Sequence, residues 1–303
     1  MSLPTRAAHR TFVFDRHARR KLFSHGIAVL SGLTVIAVLY PLVSIVYEAF
    51  ALGGSVIFQS GFLTSVPPNA CSSLSCNTVG IGPDVQGTLI VVAMAAGISI
   101  PVGVMAAIFA SEYRAKGVGR AISFTADVLT GVPSIICGAF VYGYFVVYYP
   151  QIAYSFYTGS FALSAIMIPI IVRTTEEALR VVPNATREAA LALGISKWKA
   201  TLRIVLVAAL PGVATGVLLA IMRASGEAAP LLFTLLGSNI WFQGFNKEGA
   251  AMPLLIYFFA LSPYPNQVKV AWGATLFLLS LILIVNVVSR LLIHRMRVRM
   301  GGV

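Results

Sequence analysis

The sequence predicts an all-α polytopic membrane protein with six transmembrane helices. Three observations carry that prediction. The first is composition. Of 303 residues, 58% are hydrophobic and 11% charged, with a mean hydropathy of +0.86. A soluble domain of this length lacks the polar cover for so much apolar surface. The second is run length. The apolar runs are about 20 residues long, enough for a helix to cross ~30 Å of hydrocarbon and about twice what a barrel strand needs. Lipid offers the backbone no hydrogen-bond partner, so helices and closed barrels are the only options, and the run length selects helices. The third is charge placement. The net charge is +12, and 19 of the 22 Lys and Arg fall in residues 6–21, 114–120, 173–203 and 290–299, alternating with segments that are uncharged or acidic. That alternation follows the positive-inside rule. The basic residues therefore read as topology signals beside anionic lipid, and nucleic acid is not an expected partner.

Residues 1–25 form a basic cytoplasmic N-terminus with Arg6, Arg10, Arg16, Arg19, Arg20 and Lys21. Residues 26–47 are the first span; the run is too long for a signal peptide and lacks a small-residue cleavage site, so it reads as retained. The first span and an external loop make up residues 26–85. The loop, rich in turn formers such as Gly53, Gly54, Pro67 and Pro68, has no Lys or Arg. Its Cys71 and Cys76 can form a disulfide in an oxidising compartment. No His lies near them to support a metal site.

Residues 86–289 are the core. The second span, 86–111, is dense in Gly and Ala (Gly87, Ala95, Gly103, Ala107), which lets helices approach closely in lipid. Residues 112–120 are a short basic inside loop. The third span, 122–149, carries Asp127 about one and a half turns in, read as an interfacial carboxylate favoured by the dipole of a helix N-terminus. Gly131, Val132, Pro133 and Ser134 then break the helical pattern in mid-membrane, which requires neighbouring groups to satisfy the freed carbonyls. Tyr142, Tyr144, Tyr148 and Tyr149 crowd the outer end as an aromatic belt. The fourth span, 161–180, carries Pro169 and then Arg173, Glu176 and Glu177. The fifth is 211–236. Residues 251–262 are apolar but too short to cross, hence interfacial or re-entrant. The sixth span is 270–289, and residues 290–303 return a basic tail to the inside. Both termini are expected to be cytoplasmic.

Two features stand out from this frame. Arg223 lies about twelve residues into the fifth span, which at ~1.5 Å per residue puts it near the bilayer midplane. An arginine there costs about 3 kcal/mol on insertion scales, so it should face protein and have a partner. Glu227, four residues on, shares its helix face. The pair is either structural or an anion site, for which the planar guanidinium fork suits tetrahedral oxyanions. The second feature is the basic, amphipathic stretch within residues 181–210. Glu188, Ala189 and Ala190 open it, Gly194 permits a turn and Ser196 is placed to cap the next helix.

The spacing from Glu188-Ala189-Ala190 to Gly194 and then Ile204 resembles the EAA loop of ABC-importer permeases, the inner-membrane components of binding-protein-dependent transport. One departure is that Val207 stands where that family has proline; Leu210-Pro211 follows four residues late. Residues 131–138 and 223–233 further resemble the PstA-type permeases of phosphate importers, a likeness that covers most of residues 86–290. Ala228 stands where those permeases usually have Thr.

The resemblance implies a type I ABC-importer permease fold in the bacterial inner membrane, forming half of a phosphate path. It implies a substrate path at Arg223 with Glu227 and, less directly, Arg173. It implies ATPase coupling through Glu188, Ala189, Ala190 and Gly194. The implied partners are a second homologous permease, two ATPase subunits and an extracytoplasmic phosphate-binding protein. No cofactor and no catalytic residue are expected. The sequence has no Gly-x-x-x-x-Gly-Lys-Ser/Thr loop to cradle a nucleotide, and its four His (His9, His17, His25 and His294) lie near the ends. Two alternatives share part of this evidence: a permease for sulfate or molybdate, and an ion-coupled secondary transporter. The latter needs more intramembrane carboxylates than Glu227 and Asp127 supply.

Overall fold

The computed structural model describes residues 14–70, 79–112 and 117–299. Cys71 and Cys76 lie outside the described residues, as do residues 1–13 of the basic N-terminus. The chain divides into two units, residues 1–50 and 51–303.

The described part of the first unit is the greater part of one helix, α1 (Phe14–Ile57). Its apolar side chains stand exposed around the whole circumference, Tyr40 at 74%. A helix that is apolar on every side offers water no face.

The second unit holds α2 (Gly82–Glu112), α3 (Val118–Thr130), α4 (Ser134–Tyr148), α5 (Phe156–Val181), α6 (Asn184–Ala192), α7 (Lys197–Ala200), α8 (Leu206–Ser225), α9 (Ala229–Thr234), α10 (Met252–Ala260) and α11 (Pro265–Arg299). Among the described residues five helical segments are long and apolar enough to cross a membrane: Arg19–Ile57, Gly82–Glu112, Phe156–Val181, Lys197–Ser225 and Pro265–Leu291. The pair α3 and α4, bent by 105° at its break, makes a sixth if taken as one span. The break falls at Gly131-Val132-Pro133, where the sequence predicts it.

α2, α5 and α8 form the centre. Val91, Leu163, Met167, Ile171 and Ala220 are buried there together with Leu231 of α9 and Leu254 of α10. Small residues set the distances, as expected of helices that gain nothing from leaving lipid unless their backbones approach closely. A β-carbon at Gly103 would meet the Ile171 side chain at 2.8 Å. One at Gly212 would meet Ala178 at 2.7 Å, and one at Gly216 would meet Thr174 at 2.0 Å. The small residues of α2 divide by face: Ala95 and Ala107 are buried, whereas Gly97 has open space around it. Residues 252–260 form the short helix α10, which buries Met252 and Leu255 beside Val270 and Ala274 of α11. Nine residues span only ~14 Å at 1.5 Å each.

The structure corrects the fifth span. It is not one helix over 211–236. The helical rod runs from α7 through a π turn, Thr201–Val205, into α8. Pro211 lies inside α8 rather than at its start. The helix stops at Ser225, and Gly226, Glu227 and Ala228 separate it from α9, which has Pro230 in its first turn. Proline is a poor marker of a membrane-helix boundary, because neighbouring helices and local π adjustments satisfy what it frees.

Candidate functional site

The stretch around Glu188 and Gly194 folds as a helix, a glycine turn and a second helix. α6 ends in a Schellman arrangement: Ile195 N–H donates to Ala190 O (3.2 Å) and Gly194 N–H to Leu191 O (2.9 Å). That geometry needs a left-handed residue after the helix, and Gly194 has φ +79°. Ser196 stands at the predicted cap position with an extended backbone, but its side chain makes no capping hydrogen bond. Glu188 and Ala189 are exposed while Ala190 is buried. Leu191, Leu193 and Trp198 also stand exposed, Leu193 at 81%.

Two residues that the sequence reading missed hold this loop. Arg187 donates from its terminal nitrogens to Leu179 O (2.7 Å), Val182 O (2.8 Å) and Asn184 Oδ1 (3.1 Å). It thereby caps the last carbonyls of α5, which have no partner within the helix. Its Nε lies 3.3 Å from Glu112 Oε1. Glu112, at the end of α2, also faces Lys197 Nζ at 3.8 Å, and that ammonium donates to the Glu112 carbonyl at 3.0 Å. One acidic residue thus ties both helices of the loop to α2.

Arg223 occupies the last turn of α8. Its Nε lies 3.4 Å from Glu227 Oε1, and its side chain is 50% exposed. The two terminal nitrogens have no partner among the described residues, so the planar fork is available for an oxyanion. The pair forms as its four-residue spacing suggests, yet not on a continuous helix: Glu227 is already in the break.

The two sequence segments singled out for function meet. A β-carbon at Gly138 of α4 would lie 2.5 Å from Pro230 Cα and 2.7 Å from Pro230 O. Only glycine permits so close a backbone approach. Gly138 is therefore seated on Pro230, seven residues beyond Arg223.

Arg173 lies inside the fourth span, eight residues from the end of α5. It has two carboxylate partners. Nη2 donates to Asp127 at 2.6 Å and Nη1 to Glu176 at 3.1 Å. Glu176 is 1% exposed and also accepts from Arg180 at 2.5 Å and from Ser123 Oγ at 3.0 Å. This corrects the reading of Asp127. It sits near the C-terminal end of α3, where the helix dipole disfavours a carboxylate, and Arg173 compensates it. The 173, 176, 180 spacing places all three on one face of α5, a signal that could have revealed Glu176. Arg173 and Arg223 are not brought together. With Gly216 against Thr174, Arg223 lies seven residues, ~10 Å, further along the bundle.

Comparison with known proteins agrees with this architecture. A bacterial alginate ABC transporter, solved with an alginate pentasaccharide-bound periplasmic protein, has a chain similar in fold, with a TM-score of 0.60 at 12% identity over 93% of this chain and 97% of that one. The phosphate transport system permease protein PstA of Yersinia pestis is 35% identical over 87% of this chain and 88% of its own length. PstA 1 of Mycobacterium tuberculosis CDC 1551 is 34% identical over 92% of each. Residues 99–298 match the family described as binding-protein-dependent transport system inner membrane component. On that match and these identities, the chain belongs to the family of binding-protein-dependent transport system inner membrane components.

Proposed function

We propose that this chain is the membrane permease subunit of an ATP-driven importer of inorganic phosphate. It forms half of the translocation path and leaves ATP hydrolysis to separate subunits. The observation that carries the reading is the likeness to phosphate permeases along nearly the whole chain. Arg223 supports it chemically: a half-exposed guanidinium with a free fork, at a helix break, suits a tetrahedral oxyanion. Glu227 holds the arginine until an anion replaces it. Arg173, with both partners in place, is the second path residue.

In this reading a homologous permease pairs with the chain, two ATPase subunits dock on the loop around Glu188, Ala189, Ala190 and Gly194, and a phosphate-binding protein docks on the opposite face. Both termini lie on the ATPase side. The exposed Leu191, Leu193 and Trp198 supply an apolar contact beside the glycine turn. The rod Lys197–Ser225 joins that contact to Arg223, so closure of the ATPase pair is delivered along one element to the path. The test is uptake of labelled phosphate and labelled sulfate by cells carrying wild type, Arg223→Ala or Arg223→Lys. Phosphate uptake should be lost in Arg223→Ala and reduced in Arg223→Lys, which keeps the charge without the fork. Undiminished uptake in Arg223→Ala overturns the path assignment. Preferential sulfate uptake by the wild type replaces phosphate with another oxyanion.

A further inference from the structure

A cleft of about 490 Å³ lies between α8 and α11. One side is polar. Asn286, Ser289 and Arg290 fall on one face of α11 by their three- and four-residue spacing. Arg290 Nε donates to Asn286 Oδ1 at 2.8 Å. That bond uses the Asn286 carbonyl oxygen and the Arg290 Nε, leaving the amide NH₂ and the two terminal guanidinium nitrogens to other partners. The terminal nitrogens of Arg290, the Asn286 NH₂ and the Ser289 hydroxyl have no partner among the described residues. Three donor groups thus converge with no carboxylate in the lining. An asparagine within a membrane helix is costly unless something is bound to it or through it. The other side is apolar at Leu218, Leu219 and Met222 of α8 and at Ile293 of α11; the one hydroxyl there, that of Thr215, already donates to Pro211 O at 2.8 Å.

We infer that this cleft holds an anionic phospholipid. The donor set asks for an acceptor-rich anion, and the basic residues that follow Arg290, among them Arg295, favour negative charge at this end of α11. A free inorganic anion leaves the apolar wall and most of the cleft unused, whereas a phospholipid matches both halves. Its phosphate sits among Arg290, Asn286 and Ser289, and its acyl chain lies on Leu218, Leu219 and Met222. The bound lipid touches α8 between the coupling loop and Arg223, so it biases the position of the rod that links them. The inference rests on the membrane location and not on the phosphate reading.

The test is native mass spectrometry of the full-length protein in detergent, titrated with phosphatidylglycerol or phosphatidylcholine. Wild type should retain phosphatidylglycerol about fivefold more than phosphatidylcholine, the ratio for roughly one basic side chain at an anionic surface. Arg290→Ala and Asn286→Leu should each abolish the preference, and Ser289→Phe should block retention while keeping the charge. Lys247→Ala, an exposed residue between α9 and α10 and outside the lining, should behave as wild type. Circular dichroism confirms that each variant is folded; Ser289→Phe alone suffices if another is not. Equal retention of the two lipids by wild type, or unchanged preference in the folded variants, overturns the site. Displacement of the lipid by millimolar inorganic phosphate overturns it in favour of a free-anion site.

Discussion

Gly138 of α4 rests directly on the backbone of Pro230 in α9, with room for a hydrogen but none for a methyl group. The contact joins the helix that follows one mid-span break to the helix that follows another, and Arg223 stands at the second. A substitution here must push α9 away from α4. Overpacking of this kind costs about 1–3 kcal/mol and shifts the residues around Glu227. Gly138→Val is therefore expected to insert in the membrane yet lose most phosphate uptake. Gly143→Ala is the matched control, since it lies on the same helix with nothing within 4 Å. Membrane abundance and initial uptake rate are the two measurements; equal rates in both variants contradict the argument.

The two carboxylates on Arg173 should behave differently when neutralised. Glu176 is 1% exposed and serves Arg173 and Arg180, while Asp127 is 51% exposed and serves Arg173 alone. Neutralising Glu176 weakens hydrogen bonds to two guanidiniums at once, each bond to a charged group being worth about 1.5–3 kcal/mol, although Arg173 and Arg180 are themselves 34% and 43% exposed. An exposed pair is worth about 0–1 kcal/mol. Glu176→Gln should thus sharply reduce protein level in the membrane, and Asp127→Asn should leave it near wild type. The check is quantitative immunoblotting of membranes together with thermal unfolding of the purified variants.

On the proposed path through Arg223, Glu227 should set how firmly an anion is held. It is the carboxylate facing Arg223, at 3.4 Å. With glutamine in its place the guanidinium keeps its fork and loses a competitor. Phosphate should then bind more tightly and leave more slowly, so Glu227→Gln should lower both KM and the maximal uptake rate. A rise in KM at unchanged maximal rate would point instead to a glutamate that only orients the arginine.

Local chemistry made much of this architecture legible in the sequence. Gly131 and Pro133 announce a break wherever they sit, and Gly194 announces a left-handed turn after a short helix. The Arg223–Glu227 pair is written in a four-residue spacing. What stayed hidden depends on distant partners or on lipid. Asp127 meets Arg173 across 46 residues of sequence, so its own helix could only suggest the wrong role. Arg187 bonds two carbonyls, an amide and a carboxylate that no pattern links to it. Pro211 suggested a helix start because soluble helices seldom tolerate it inside, whereas this rod passes through it.

Gly194 offers the clearest separation of folding from coupling. A β-carbon there meets nothing within 4 Å, so the space is free and the constraint is the backbone alone, with φ +79°. A β-branched residue is a genuine outlier in the left-handed region, and strain of this kind costs about 1–3 kcal/mol. The loop can relieve it by giving up the Ile195–Ala190 and Gly194–Leu191 bonds that shape the turn. α5 and α8 keep their own packing, through Leu179, Val205 and Val213, so the spans should remain intact. Gly194→Val should therefore reach the membrane at near wild-type level but fail to retain the ATPase during purification, and phosphate uptake should fall with it. Gly194→Asn, which tolerates this region better, should recover part of both. If Gly194→Val co-purifies with the ATPase and transports normally, the turn does not set the docking surface, and the coupling role must lie elsewhere on the exposed face that carries Leu193 and Trp198.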